Sequence, residues 1–259
     1  MQLHHHEIGQ GEPIIILHGL FGSSDNWLTI AKQLATTYKV YLPDQRNHGR
    51  SPWSEEFTYE AMSDDLMAFI REHRIQPPVL IGHSMGGKTA MRFAMRYPGA
   101  FRKLLVVDIA PKYYPPHHQE ILEGLRAIDL TALQTRQQAD EQLARHIPEA
   151  EVRQFLLKNL YRAEGGPDEP SRFAWRLNLP VIEREIERVG EALSYSEPVQ
   201  QPTLFLRGGK SRYIKDPDMN LIQQIFPRAT LQTIADAGHW VHAEQPKEFV
   251  ERVREFVEK

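Results

Sequence analysis

One stretch limits the folds open to this chain more than any other. Pro78-Val79-Leu80-Ile81 is a short apolar run, Gly82-His83-Ser84-Met85-Gly86-Gly87 follows, and the residues from Lys88 to Ala94 carry apolar side chains at helical spacing. A strand that becomes a helix within so few residues must hold its central serine in a strained backbone conformation. A β-carbon at either flanking glycine would then collide with a neighbouring element. The turn lifts the serine hydroxyl to the end of a sheet, and the new helix aims its free N–H groups at the same spot. The pattern G-x-S-x-G alone arises by chance in roughly one chain in ten of this length. Its position between a strand pattern and a helix pattern gives it meaning.

The rest of the chain repeats that grammar. Ile14-Ile15-Ile16-Leu17 is a continuous apolar run, as expected of a strand buried on both faces, and it ends in the glycine-rich turn His18-Gly19-Leu20-Phe21-Gly22. A helix is expected from about Asn26 to Ala35, capped by Ser24 or Asp25. A strand at Lys39–Leu42 leads into Pro43-Asp44-Gln45-Arg46-Asn47-His48-Gly49, where Asp44 and Arg46 are expected to pair and brace the loop. A helix over Thr58–Arg74 should bury Met62, Leu66, Phe69 and Ile70. After the serine turn comes a strand at Lys103–Val107, ending in Asp108. Two more strands are expected at Pro202–Leu206 and Ala229–Ile234, and a last helix from Pro246 to Glu258. Strands alternating with helices argue for a mostly parallel central sheet flanked by helices. Ser84 and Asp108 would stand at the carboxyl ends of consecutive strands, where sites form in such sheets.

Between Pro111 and Tyr195 the alternation stops. Helical patterns dominate at Gln119–Ile128, Ala132–Ile147, Ala150–Tyr161 and Leu179–Leu193, with a break at Glu164–Pro170 and no convincing strand. This reads as a helical cap over residues 112–195, inserted into a core formed by 1–111 and 196–259. Most of its bulky apolar residues, Tyr113, Tyr114, Phe155, Leu156, Leu160, Tyr161, Phe173 and Trp175, should hold the cap together, and a minority should line an acyl pocket; Tyr113 and Trp175 are candidates for the substrate pocket, with Phe21 and Trp240 from the core.

At 259 residues, with 31 basic and 34 acidic side chains and a net charge of −3, the chain suits one large domain and gives no footing to nucleic acid. The absence of cysteine excludes disulfides, thiol catalysis and cysteine-bound metal. No apolar run is long enough to span a bilayer, and the first ten residues carry no apolar leader region, so a cytoplasmic enzyme is the expectation. His4-His5-His6 fits an edge strand, and a solvated face outweighs metal binding by His4 and His6.

A serine needs a base, and the base needs an orienting partner. Of the twelve histidines, His18 and His83 belong to strand-turn positions and suit structural hydrogen bonds. His239 follows a glycine between the last strand and the last helix, on the edge that carries Ser84, and is the expected base. His242, three residues on, should point elsewhere. Asp108, Asp216, Asp218 and Asp236 compete for the acid; Asp236 lies too close to His239 in sequence to reach its ring comfortably.

His18-Gly19, Asp44-x-Arg46-x-x-Gly49-x-Ser51, Gly82-His83-Ser84-Met85-Gly86-Gly87 and Gly238-His239 together resemble the α/β-hydrolase superfamily, from the first strand to the last helix except the cap. In most members the acid follows the strand after the cap; here Gly208-Gly209-Lys210-Ser211 stands there, with serine at the expected aspartate position. A smaller branch of bacterial and mitochondrial esterases is similar at His18–Ser23, Arg46–Gly49, Val107–Pro111, Gln154–Lys158 and Gly238–Glu244, and has its acid at the end of the strand after the serine turn. That resemblance implies a triad of Ser84, Asp108 and His239 with Ser211 as an accessory hydrogen-bonding group. The oxyanion donors are then the amides of Met85 and Leu20, with Phe21 as substitute. The reaction implied is hydrolysis of small to medium acyl esters through an acyl-enzyme, with no metal or organic cofactor. The alternatives are an acyl-CoA thioesterase, for which Lys112 and Arg172 would hold the phosphates, and a small-ligand receptor that keeps a slow triad. A carbon–carbon bond hydrolase shares much of the motif set, whereas a haloalkane dehalogenase would resemble proteins with aspartate in place of Ser84.

Overall fold

The computed structural model describes residues 1–164 and 172–259. Nine strands occur among them: β1 (His5–Ile8), β2 (Pro13–Leu17), β3 (Lys39–Pro43), β4 (Val79–His83), β5 (Lys103–Val107), β6 (Leu160–Ala163), β7 (Arg172–Trp175), β8 (Thr203–Gly208) and β9 (Ala229–Ile234). Seven of them form one sheet in the order β1-β3-β2-β4-β5-β8-β9. Only β1 is antiparallel to its neighbour, and every other pairing is parallel.

The apolar runs are continuous because both faces of the sheet are covered. On β2, Ile14 and Ile16 pack with α1 (Leu28–Leu34) and the final helix, Pro246–Glu258. Ile15 and Leu17 face the opposite side, with α2 (Tyr59–Glu72) and α3 (Met85–Arg96). In α2 the expected stripe of Met62, Leu66, Phe69 and Ile70 is buried, and the Thr58 hydroxyl caps the helix by accepting from the Ala61 amide at 3.1 Å. The helix α1 begins at Leu28, two residues later than expected from the sequence. A 3₁₀ turn over Ser24–Trp27 precedes the helix, and its cap is Ser23, whose amide donates to the Asn26 side chain at 2.8 Å.

Between β5 and β8 stand α4 (Gln119–Ala127), α5 (Arg136–Leu143), α6 (Ala150–Leu157), α7 (Leu179–Arg184) and α8 (Ile186–Val189). These helices are shorter than the periodicity suggested. The expectation of no strand here is overturned: β6 and β7 pair antiparallel, Leu160 opposite Trp175 and Arg162 opposite Phe173. Each strand has four residues, too few for alternation to stand out from a helical pattern. Their buried Leu160, Phe173 and Trp175 join the same core as the surrounding helices. Most of the break expected at Glu164–Pro170 lies outside the described residues. The helix α9 (Asp218–Ile225) precedes β9, and α10 (Val241–Glu244) and α11 (Pro246–Glu258) follow it. No helix among the described residues is long and apolar enough to cross a membrane.

Candidate active site

Ser84 sits between β4 and α3 at φ 53°, ψ −119°, the strained geometry the glycine-flanked turn implied. A Cβ on Gly82 would lie 2.3 Å from the Gly86 carbonyl oxygen, and one on Gly86 would lie 2.4 Å from that of Leu17. Both glycines are therefore required by contact. The Ser84 amide is tied to Val107 of the next strand at 3.0 Å. Asp108 ends that strand at φ 51°, and Phe21, in the turn after β2, lies at φ 58°. Three of the five non-glycine residues with positive φ among the described residues thus line up along the carboxyl ends of adjacent strands.

Asp108 is fully buried. Its Oδ2 is 2.8 Å from His239 Nδ1 and also accepts from the Ser211 hydroxyl, while Oδ1 accepts from the Gly208 amide at 3.2 Å. Ser211 in turn accepts from the Tyr213 amide at 3.2 Å, and the Tyr213 ring stacks on the His239 imidazole, centroids 4.0 Å apart and 16° from parallel. Glu244 braces the histidine loop by accepting from the amides of Gly238 and Trp240 at 2.7 and 3.1 Å. Tyr213 carried no signal that would single it out in the sequence, and Glu244 stood there only inside the Gly238–Glu244 run; both act through stacking or backbone contacts that only the folded loops create. The rival acids lie elsewhere. Asp216 pairs with Arg207 at 2.7 Å, and Asp218 with Lys112 at 2.6 Å.

The remaining histidines hold the frame. His83 Nε2 donates to the His239 carbonyl at 2.9 Å, and burial, reinforced by neighbouring His239 and His242, drives its pKa well below the usual range. His18 accepts from the Gln45 amide at 2.9 Å and donates to the Gly19 carbonyl at 2.9 Å; burial lowers its pKa as well. His242 stacks on Trp27 at 3.8 Å and lines the cavity beneath Ser84, its pKa lowered by burial to about 3. His48, in the Arg46–Gly49 run, accepts at Nε2 from the Phe21 amide at 3.2 Å and donates from Nδ1 to the Arg46 carbonyl at 3.0 Å. These bonds require a neutral ring, and burial lowers its pKa to about 3. They also engage the Phe21 N–H, which removes Phe21 as a substitute oxyanion donor. The Leu20 and Met85 amides meet no protein acceptor among the described residues.

Two further expectations need correction. Asp44 and Arg46 do not pair. Asp44 accepts from the amides of Ser24 and Arg50 at 2.7 and 2.9 Å and contacts the His4 ring, whereas the Arg46 guanidinium reaches Asp65 at 2.7 Å. Side chains two residues apart on this loop leave in different directions, so each finds a separate partner. Of the four expected pocket residues, Phe21 and Trp240 line the cavity at Ser84. Tyr113 is 53% exposed and lines no part of it. Trp175 is buried in the β6–β7 hairpin and borders a separate surface hollow with Trp53. Ile121, Val152, Phe155 and Leu156 of the helical segment take their place. His6 stands on the edge strand β1 beside Asp25, and His4, just before the strand, beside Asp44, their rings 5.5 Å apart.

A profile of the α/β hydrolase fold matches residues 12–246, and the chain belongs to that family. It is 40% identical over 252 residues to the mouse (Mus musculus) sn-1-specific diacylglycerol lipase ABHD11, covering 94% of this chain and 80% of that one. With esterase YbfF of Escherichia coli it shares 35% identity over 246 residues, 95% of this chain and 92% of the other. A solved structure described as a marine microorganism esterase superimposes with a TM-score of 0.94 at 44% identity, covering 98% of this chain and 99% of that one.

Proposed function

We propose that this chain hydrolyses carboxylic esters through an acyl-enzyme on Ser84, with His239 as base, Asp108 as its orienting carboxylate and Ser211 as an accessory donor to that carboxylate. Ester hydrolysis agrees with the fold and with relatives named as esterases and lipases. The observation that carries the residue assignment is the 2.8 Å contact between His239 Nδ1 and the fully buried Asp108. A carboxylate there selects the tautomer with the proton on Nδ1, leaving Nε2 free to accept the Ser84 proton. Ser84 Oγ attacks the carbonyl carbon, and the resulting oxyanion turns to the amides of Leu20 and Met85. His239 then returns the proton to the leaving oxygen. Water, deprotonated by the same imidazole, attacks the acyl-serine and releases the acid. We read residues 112–195 as a cap that closes the site from above.

An ester is favoured over a CoA thioester, because Lys112, an expected phosphate anchor, is paired with Asp218 at 2.6 Å. Ser84→Ala should lower kcat/KM on a p-nitrophenyl ester by at least about 10⁴-fold with an unchanged circular dichroism spectrum. Near-parental turnover by the folded variant would sink the proposal. A fluorophosphonate should add to Ser84 in intact-mass and peptide analysis, and to no other residue.

A further inference from the structure

Two cavities meet at Ser84. One has a volume of about 190 Å³ and the other about 30 Å³, and both touch Ser84 and Leu20. His239 and Trp240 line only the larger; Met85, Lys88 and Ile109 line only the smaller. This division has a chemical consequence once Ser84 is the nucleophile. Three substituents leave the attacked carbon besides the serine oxygen. The oxyanion must face the Leu20 and Met85 amides. The leaving oxygen must come within hydrogen-bond reach of the imidazole that protonates it, since proton transfer needs heavy atoms about 3 Å apart. The acyl chain takes the direction that remains.

Resting on the reading of Ser84 and His239 given above, we propose that the enzyme prefers short acyl groups, of about two to four carbons, esterified to bulky apolar alcohols. The alcohol sits in the larger cavity on the His239 side and the acyl group in the smaller one. A volume of about 30 Å³ holds roughly two or three water-sized groups. Ile186 and Val189 of α8 close it on the helical side, and Lys88 closes it with an amine whose Nζ donates to the backbone carbonyls of Lys112, at 3.1 Å, and Glu191. A longer apolar chain would have to displace α8 or press against that amine, which is costly to strip of its partners. The larger cavity has about six times that volume. Ile121, Val152, Phe155 and Leu156 give it apolar walls suited to a ring or a branched alkyl group.

Two matched substrate series on the purified full chain test this. In p-nitrophenyl acetate, butyrate, octanoate and palmitate only the acyl chain changes. In ethyl, hexyl and 2-cyclohexylethyl acetate, followed by pH-stat, only the alcohol changes. We expect kcat/KM to fall at least about 30-fold from butyrate to octanoate and to rise at least about 10-fold from ethyl to 2-cyclohexylethyl acetate. Ile186→Ala with Val189→Ala should lengthen the tolerated acyl chain by one or two carbons and leave the order of the alcohol series intact. Phe155→Ala should flatten the alcohol series and leave the acyl order intact. Octanoate or palmitate matching butyrate, or the α8 variant reshaping the alcohol series instead, overturns the assignment. If Ser84 is labelled by the fluorophosphonate and the series run the other way, the cavity assignment alone is wrong. If the parent turns over neither series and Ser84 stays unlabelled, the hydrolase reading has failed and this inference falls with it.

Discussion

The sheet edge and the helical segment above it share one cavity but are held by different means. At the edge, position is enforced by the backbone. Phe21, Ser84 and Asp108 are pinned at positive φ at the ends of β2, β4 and β5, and their neighbours are bound by main-chain hydrogen bonds. The helical segment is organised by apolar packing and is tied to the core by main-chain bonds such as Asn178 to Asn47, by ion pairs such as Lys112 with Asp218, and by side chains that donate to carbonyls. Lys88 bonds those of Lys112 and Glu191, the Tyr59 hydroxyl bonds that of Val189 at 2.7 Å, and Asn159 bonds that of Phe21 at 2.7 Å. Chemistry that tolerates little displacement belongs on the first kind of scaffold, and shape selection on the second. Asn159 is where the two meet: a buried side chain of the helical segment holds the turn that carries Leu20.

Substitutions at the two sites should differ by orders of magnitude. At the edge, Asp108→Asn keeps the shape but offers His239 the wrong group. It should cost at least about 100-fold in kcat/KM, against about 10⁴ for the equivalent change in a serine protease, because Ser211 and water compensate in part. Ser211→Ala should cost far less, since a neutral hydroxyl supports an imidazolium weakly. Asp216→Asn and Asp218→Asn should stay within a few-fold of the parent. An essential Asp218 with a dispensable Asp108 would show that the edge does not carry the acid.

Across the boundary, Asn159→Ala should lower kcat by about 10-fold with KM nearly unchanged. Phe21 loses the anchor on its carbonyl while His48 keeps the one on its amide, so the loss falls short of the 10² to 10³ of a deleted oxyanion donor. A change confined to KM would mean that Asn159 serves only the shape of the cavity.

The smallest effect concerns acid stability. His48 and His242 at the edge, and His118 in the helical segment, have pKa values lowered by burial to about 3. For each, the unfolded chain binds a proton near pH 6.5 that the folded chain refuses. Their contribution to stability is complete above about pH 6.5 and is lost as the pH falls towards about 3, at roughly 1 kcal/mol per pH unit for each group. Urea unfolding should give a clearly lower free energy at pH 5 than at pH 7. His242→Phe, which keeps the stack on Trp27 without a titrating group, should reduce that slope. An unchanged slope would mean that this ring is not neutral in the fold.

How far the sequence could be read followed the same division. The strands of the sheet, their mostly parallel arrangement and the glycines around Ser84 were legible, because each depends on residues adjacent in the chain or on a motif with a steric cause; Asp108 as the partner of His239, 131 positions away, came from the family resemblance instead. The roles of His48, Tyr213 and Asn159 were not. Each depends on a contact across 27, 26 or 138 positions of sequence, and a polar side chain looks the same whether it meets water or a carbonyl. The hairpin β6–β7 was missed because four-residue strands do not establish a period.

By itself the sequence determined the alternating core and the local geometry of its turns, since a β-carbon at Gly82 or Gly86 is forbidden wherever that turn occurs. Only the tertiary structure decided what surrounds them. It turned Tyr113 to solvent, buried Trp175 in a hairpin, sent Arg46 to Asp65, and divided the space at Ser84 into a large and a small cavity. Those outcomes depend on which surfaces the helical segment and the sheet present to each other, and apolar packing is non-directional. No single stretch of the chain encodes it.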